Sequence, residues 1–69
     1  MEYSSAEHMI DFAAKSAFYA SNTDDVEIAS SGLSAVAEYL PSMDATTARK
    51  ILLTRMLIDA ADMRIKMKL

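Results

Sequence analysis

The sequence predicts a small all-α domain built from three helices. Its 69 residues include one glycine, one proline and no cysteine, so helix breakers are rare and a disulfide or a cysteine-based zinc site is excluded. Apolar residues recur at helical spacing in three segments, which are separated by two short turns. We therefore expect one domain over residues 1–69, with helices at about residues 5–20, 25–40 and 45–66.

The first two helices are bounded by polar and proline residues. Ser4, with Glu7 three residues later, predicts a capping box and a helix start at residue 5. Residues 21–23 are Ser-Asn-Thr, whose short side chains compete with helical hydrogen bonds and predict a turn. The second helix extends to residue 40, because Pro41 pushes the preceding residue out of helical geometry. Gly32 lies on its apolar face, where glycine is typical of close helix contact.

The third helix is capped by Asp44 and is apolar on two opposite faces. A helix that covers a small core needs one apolar stripe, so we expect the larger stripe to face the core and the smaller one to contact a second copy. The larger stripe consists of Ala45, Leu52, Leu53, Met56, Ala60 and Met63, and the smaller one of Ile51, Ile58 and Ile65.

A homodimer through the isoleucine stripe is therefore predicted. A core of this size is marginal without reinforcement, and cysteines and metal ligands are lacking. The loops are short, so consecutive helices are expected to lie antiparallel. If two third helices pair antiparallel about Ile58, Arg55 of one chain comes near Asp62 of the other. The predicted dimer interface thus comprises Ile51, Ile58, Ile65, Arg55 and Asp62.

The charge of −3 is unevenly distributed along the chain. Residues 1–44 hold eight acids and one base, which gives −7, whereas residues 45–69 hold six bases and two acids, which gives +4. The two halves are expected to attract each other within the fold or across a dimer, or else the basic helix faces a partner or nucleic acid. The candidate contacts for such a partner are Lys50, Arg64, Lys66 and Lys68.

Residues able to carry chemistry are scarce. His8 lies beside Glu7 and one helical turn before Asp11, but no cysteine, glycine-framed serine or phosphate loop accompanies it. Asp59 and Asp62 share a helix face without a third metal ligand. The sequence also lacks a secretory signal and a run of about 20 apolar residues. We therefore expect a cytoplasmic protein that is not an enzyme, needs no cofactor and does not bind membranes.

The middle and end of the chain carry a pattern of apolar spacing around an acidic-alanine segment. Glu27 is followed by Gly32, Ala35-Val36 and Leu40, and then by Arg49-Lys50-Ile51-Leu52-Leu53, Leu57 and Asp59-Ala60-Ala61-Asp62. Over residues 18–62 this pattern resembles the small enteric regulators of biofilm formation and acid resistance of the AriR/YmgB type. The acidic first helix and Pro41 depart from it.

The resemblance implies a helical homodimer that acts without a catalytic site. It implies a regulatory adaptor that binds a protein partner, such as a response regulator in two-component signalling. Two other functions stay open from the sequence. The basic third helix is compatible with a DNA-binding transcriptional modulator. An acidic inhibitor that mimics nucleic acid is the other alternative, and its acids would be Asp24, Asp25, Glu27 and Glu38.

Overall fold

The chain folds into three α-helices, which confirms the predicted all-α class. The structure, a computed structural model, describes residues 3–68, with side chains from residue 6 onward. Its elements are α1 (Tyr3–Phe18), α2 (Thr23–Ala37), a 3₁₀ turn (Leu40–Ser42) and α3 (Ala45–Lys68). Each α-helix packs against the other two, in a bundle 39 Å long and 17 by 16 Å across. None of the helices described is both long and apolar enough to cross a membrane.

The boundary between α1 and α2 lies earlier than predicted. α1 begins at Tyr3, so Ser4 lies inside the helix rather than before it, and the side chain of the predicted capping box lies outside the described residues. The helix ends at Phe18 rather than residue 20. Asn22 is the N-cap of α2, because its side-chain oxygen accepts a hydrogen bond from the backbone N–H of Asp25 at 3.0 Å. α2 therefore starts at residue 23 rather than residue 25.

The connection between α2 and α3 is a 3₁₀ turn containing Pro41. α2 ends at residue 37, three residues before the predicted end. The backbone N–H groups of Ser42 and Met43 then donate to carbonyls three residues earlier, at 2.9 and 3.1 Å. The predicted N-cap of α3 is confirmed, since Asp44 Oδ1 accepts the backbone N–H of Thr47 at 2.8 Å. Hydrogen bonds from this N–H and from the Thr47 hydroxyl lower the pKa of Asp44.

The core is a narrow seam in which the buried positions of all three helices alternate in steps of three and four. That spacing is typical of helices that supercoil around one another. Six of the thirteen apolar residues that the structure describes as buried are alanines, so the helices meet over small side chains. The buried positions are Ala6, Ile10, Ala13, Ala17 and Ala20; Val26, Ala29, Leu33 and Val36; and Thr47, Ile51, Thr54, Ile58, Ala61 and Ile65.

Gly32 lies where α2 faces α1, but the contact does not require a glycine. A Cβ atom at this position would lie 3.6 Å from Met9 Cε and 4.0 Å from Phe12 Cδ2. Both distances are ordinary van der Waals contacts. The expectation that Gly32 permits an unusually close helix contact is therefore wrong, and an alanine fits the space.

Candidate functional site

The two apolar faces of α3 are exchanged relative to the prediction. Ile51, Ile58 and Ile65 are buried against α1 and α2, and Ile58 is only 3% exposed. They cannot serve as the predicted dimer contact, because they form the core of their own chain. The isoleucine face is buried because the core is narrow. The buried face of α1 is mostly alanine, and compact β-branched side chains of α3 fit against it. Thr47 and Thr54 occupy the same buried face and fit for the same reason.

The outer stripe of α3 is a run of exposed apolar side chains. Its spacing again alternates between three and four over residues 53, 56, 60, 63 and 67, two positions out of step with the buried seam. Met56 is 66% exposed, and its neighbours are similarly open to solvent. We define the outer stripe as Leu52, Leu53, Met56, Ala60, Met63 and Met67, all of which are exposed.

The two charged residues of the predicted interface are engaged within the chain. Arg55 Nη1 donates to Ser30 Oγ of α2 at 3.3 Å. Asp62 pairs with Lys66 one turn later, with Oδ2 and Nζ 2.8 Å apart, and this contact raises the pKa of Lys66. Both residues therefore lie at the edges of the buried seam. The predicted Arg55–Asp62 pair between copies required the isoleucines to form the dimer contact, and the isoleucines are buried in the core instead.

The candidate basic contacts do not form one surface. Lys50 Nζ lies 3.0 Å from Glu7 Oε2 of α1. Arg64 Nη2 donates to the backbone carbonyl of Ala20 at 2.8 Å, which ties α3 to the turn after α1. Lys66 pairs within α3, and Lys68 is exposed near the C-terminus. Most of these positive charges are thus held by contacts within the chain, and the arrangement does not favour a continuous phosphate-binding face.

A shallow depression lies at the C-terminal end of the outer stripe. Met63 and Met67 line its apolar part, and Arg64 and Lys68 line its rim together with Ala60. Flexible thioether side chains adapt readily to different apolar partners. This end of the stripe is therefore suited to contact with another helix.

A second exposed apolar surface lies between α1 and α2, and sequence reasoning missed it. Phe12, Ser16 and Tyr19 of α1 face Asp25 and Ile28 of α2 across this groove. Half of the Phe12 side chain and a similar part of Ile28 are exposed. Phe12 and Tyr19 are seven residues apart, which was a signal for a second helix face. The large apolar residue at position 28, surrounded by acids and serines, was another.

The structure does not bring the scarce chemical side chains into a cluster. His8 is exposed on α1, and Asp59 is exposed on α3. Within residues 3–68, no group of three or more His, Cys, Asp or Glu residues is arranged to hold a metal ion. The exposed apolar surfaces, rather than polar groups, are thus the features of the described chain that call for a functional explanation.

Comparison with models of known protein families, with curated proteins and with solved structures gave no match to this chain.

Proposed function

We propose that this protein is a cytoplasmic, non-enzymatic regulatory adaptor that works as a homodimer assembled through the outer stripe of α3. The observation that carries the proposal is a second apolar seam on α3, directly opposite the one that packs in the core. Exposed apolar runs of this kind mark surfaces that bind another macromolecule. A copy of α3 has the matching spacing, so the two stripes interlock without a change in helix geometry.

The area of the outer stripe supports a reversible dimer. Residues 52–67 span roughly 23 Å of helix, and a contact about 10 Å wide then buries roughly 500 Å² over both copies. A contact of that size lies well below the roughly 1,200 Å² of a stable specific interface, so the dimer is weak and reversible. The dimer is therefore expected to dissociate on dilution, as suits an adaptor that exchanges partners.

An antiparallel arrangement fits the sequence of the stripe. With the two-fold axis at the level of residue 58, Leu53 of one copy lies opposite Met63 of the other. Met56 then lies opposite Ala60, so a large side chain meets a small one near the axis. The consecutive helices within each copy are proposed to be antiparallel as well, because four- and seven-residue connections join them.

The dimer is tested by measuring the solution mass over a range of protein concentrations. The wild-type protein should approach twice its chain mass of 7.6 kDa, and Met56→Glu should remain at the mass of one chain. Because Met56 is exposed, the variant should keep its helix content by circular dichroism. Ser34→Glu, at an exposed site on α2, serves as the control and should dimerise normally. A dimeric Met56→Glu protein would contradict the proposal.

The resemblance to AriR/YmgB-type regulators supports a response regulator as the partner. In the proposed dimer α3 is covered, whereas the surface formed by α1 and α2 stays accessible. Binding should be measured by titrating purified response regulators, with and without phosphorylation, into labelled wild-type protein. Saturable binding to one regulator supports the adaptor function, and no binding to any regulator by a protein shown to be dimeric would contradict it.

A further inference from the structure

We infer that the groove between α1 and α2 binds a basic amphipathic helix of a partner protein. The inference rests on the proposed adaptor function and names the surface and the chemical class of the partner. The groove is defined by Phe12, Ser16, Tyr19, Asp25 and Ile28. A helix is the expected ligand because two packed helices form a lengthwise groove that an apolar helix face can enter.

The walls of the groove supply large apolar side chains. Phe12 and Ile28 face it from opposite sides, and each keeps about half of its surface exposed. The ring of Tyr19 contacts that of Phe18 edge to face, with the ring centroids 5.0 Å apart. Large aromatic side chains that can be buried by a partner are typical of the residues that dominate an interface.

The charge around the groove selects a basic partner. Next to Ile28, a neighbouring depression is lined by Asp24, Glu27 and Ser31. Residues 1–44 hold eight acids, and their single base, Lys15, lies between Phe12 and Tyr19 on the α1 side, so the negative charge borders the groove on its α2 side. A helix that places Leu or Met against Phe12 and Ile28 therefore meets negative charge on the α2 side, and Lys or Arg side chains on its rim complement that charge.

The groove remains open when α3 is covered by a second copy. α1 contacts α3 through Glu7, and α2 contacts it through Ser30. On α1, Phe12 lies about 140° around the helix from Glu7. On α2, Ile28 lies about 160° around the helix from Ser30. Both groove residues therefore lie far around their helices from the residues that contact α3. A dimer joined at the outer stripe thus presents two grooves, one on each outward face.

The probe for this inference is a fluorescein-labelled amphipathic peptide of about 18 residues, roughly five helical turns, with leucine on one face and lysine on the other. Its anisotropy is measured during titration with the full-length protein at low and high salt. The matched control peptide carries glutamate in place of every lysine. We expect saturable binding of the basic peptide, weaker binding at high salt, and little binding of the acidic peptide.

Two groove variants test the apolar and the charged parts separately. Phe12→Ser with Ile28→Ser should weaken binding of the basic peptide by about tenfold or more, because both anchors are lost. Asp24→Lys with Glu27→Lys should abolish the preference for the basic over the acidic peptide. Asp25 is left unchanged, since its carboxylate accepts hydrogen bonds from the backbone N–H and hydroxyl of Ser21.

A variant of the outer stripe separates this inference from the proposed dimer. Met56→Glu should lower the solution mass and yet bind the basic peptide with unchanged affinity for each chain. If Met56→Glu abolishes peptide binding while the groove variants keep it, the groove inference is overturned and the stripe is the binding surface. Failure of the wild-type protein to bind the basic peptide, or equal binding of both peptides, also overturns it.

The remaining alternative occupant of the groove is α3 of a further copy, which is itself basic. In that case the wild-type protein would form assemblies larger than a dimer as its concentration rises, and the Phe12→Ser and Ile28→Ser double variant would prevent them. That outcome would overturn binding of a foreign partner. A mass that stays at or below the dimer in both proteins supports the inference.

Discussion

Ile58→Ala should destabilise the protein far more than Met56→Ala, although the two residues are neighbours on α3. Ile58 is 3% exposed in the core, whereas Met56 is 66% exposed on the outer stripe. Truncating a buried isoleucine costs about 2–5 kcal/mol. Alanines make up nearly half of the buried apolar residues described and are too short to fill such a cavity, so we expect a value of about 3–4 kcal/mol. The better helix propensity of alanine offsets only about 0.4 kcal/mol.

The measurement is urea unfolding followed by circular dichroism, at a protein concentration low enough to dissociate any dimer. A domain of this length has a free energy of unfolding of about 3–10 kcal/mol. With a slope of about 1 kcal/mol per molar urea, Ile58→Ala should lower the midpoint by about 3 M or leave the chain unfolded. Met56→Ala should change the free energy of unfolding by less than about 0.5 kcal/mol.

The two variants also show which face of α3 is turned toward the core. If Met56→Ala were the strongly destabilising change and Ile58→Ala the mild one, the outer stripe would face the core and the reasoning would be refuted. Repeating the titration at high protein concentration adds a second comparison. There Met56→Ala should lose the extra stability that dimerisation gives to the wild-type protein.

Four smaller predictions concern single sites. Gly32→Ala should raise the free energy of unfolding by about 1 kcal/mol, because helix propensity improves and the new Cβ makes ordinary contacts. A lower midpoint temperature in thermal unfolding would contradict this. Thr54→Val should raise the free energy of unfolding by about 1 kcal/mol in a urea titration, since its buried hydroxyl bonds only within α3. Asn22→Ala should lower the free energy of unfolding by about 1 kcal/mol through loss of the α2 cap, and Asn22→Ser should retain most of the stabilisation by the cap. The pKa of Asp44 is lowered in the native state, so its stabilising effect is complete above the ordinary value of 3.8 and is lost as the pH falls through the native value; Asp44→Asn should flatten that part of a stability–pH curve.

The number of helices and the start of α3 could be predicted because local signals determine them. Asp44 precedes an apolar-periodic segment and caps it as expected. The other ends shifted by two or three residues for local reasons that compete with one another. Asn22 caps α2 ahead of the acids at residues 24 and 25, and the chain enters a 3₁₀ turn before it reaches Pro41.

The orientation of α3 could not be predicted from its own hydrophobicity. Leucine and methionine make the outer stripe at least as apolar as the isoleucine face, so the pattern of α3 alone favours the wrong side. The deciding factor is the shape of α1, whose buried face is almost entirely alanine. The unbroken alternation of steps of three and four from Thr47 to Ile65 was a usable signal, provided that threonine is counted as a core residue.

The polar contacts of α3 reinforce the choice between its two seams that packing against the alanine face of α1 makes. Each is exposed or half-buried and contributes only about 0–1 kcal/mol. Turning the helix by half a revolution would nevertheless break all of them and would bury Arg49, which lies on the same face of α3 one helical turn before Leu53. The weak polar contacts therefore add to the specificity that packing against α1 provides, because they exist in one rotational state and not in the other. They join Lys50 to Glu7, Arg55 to Ser30 and Arg64 to the carbonyl of Ala20.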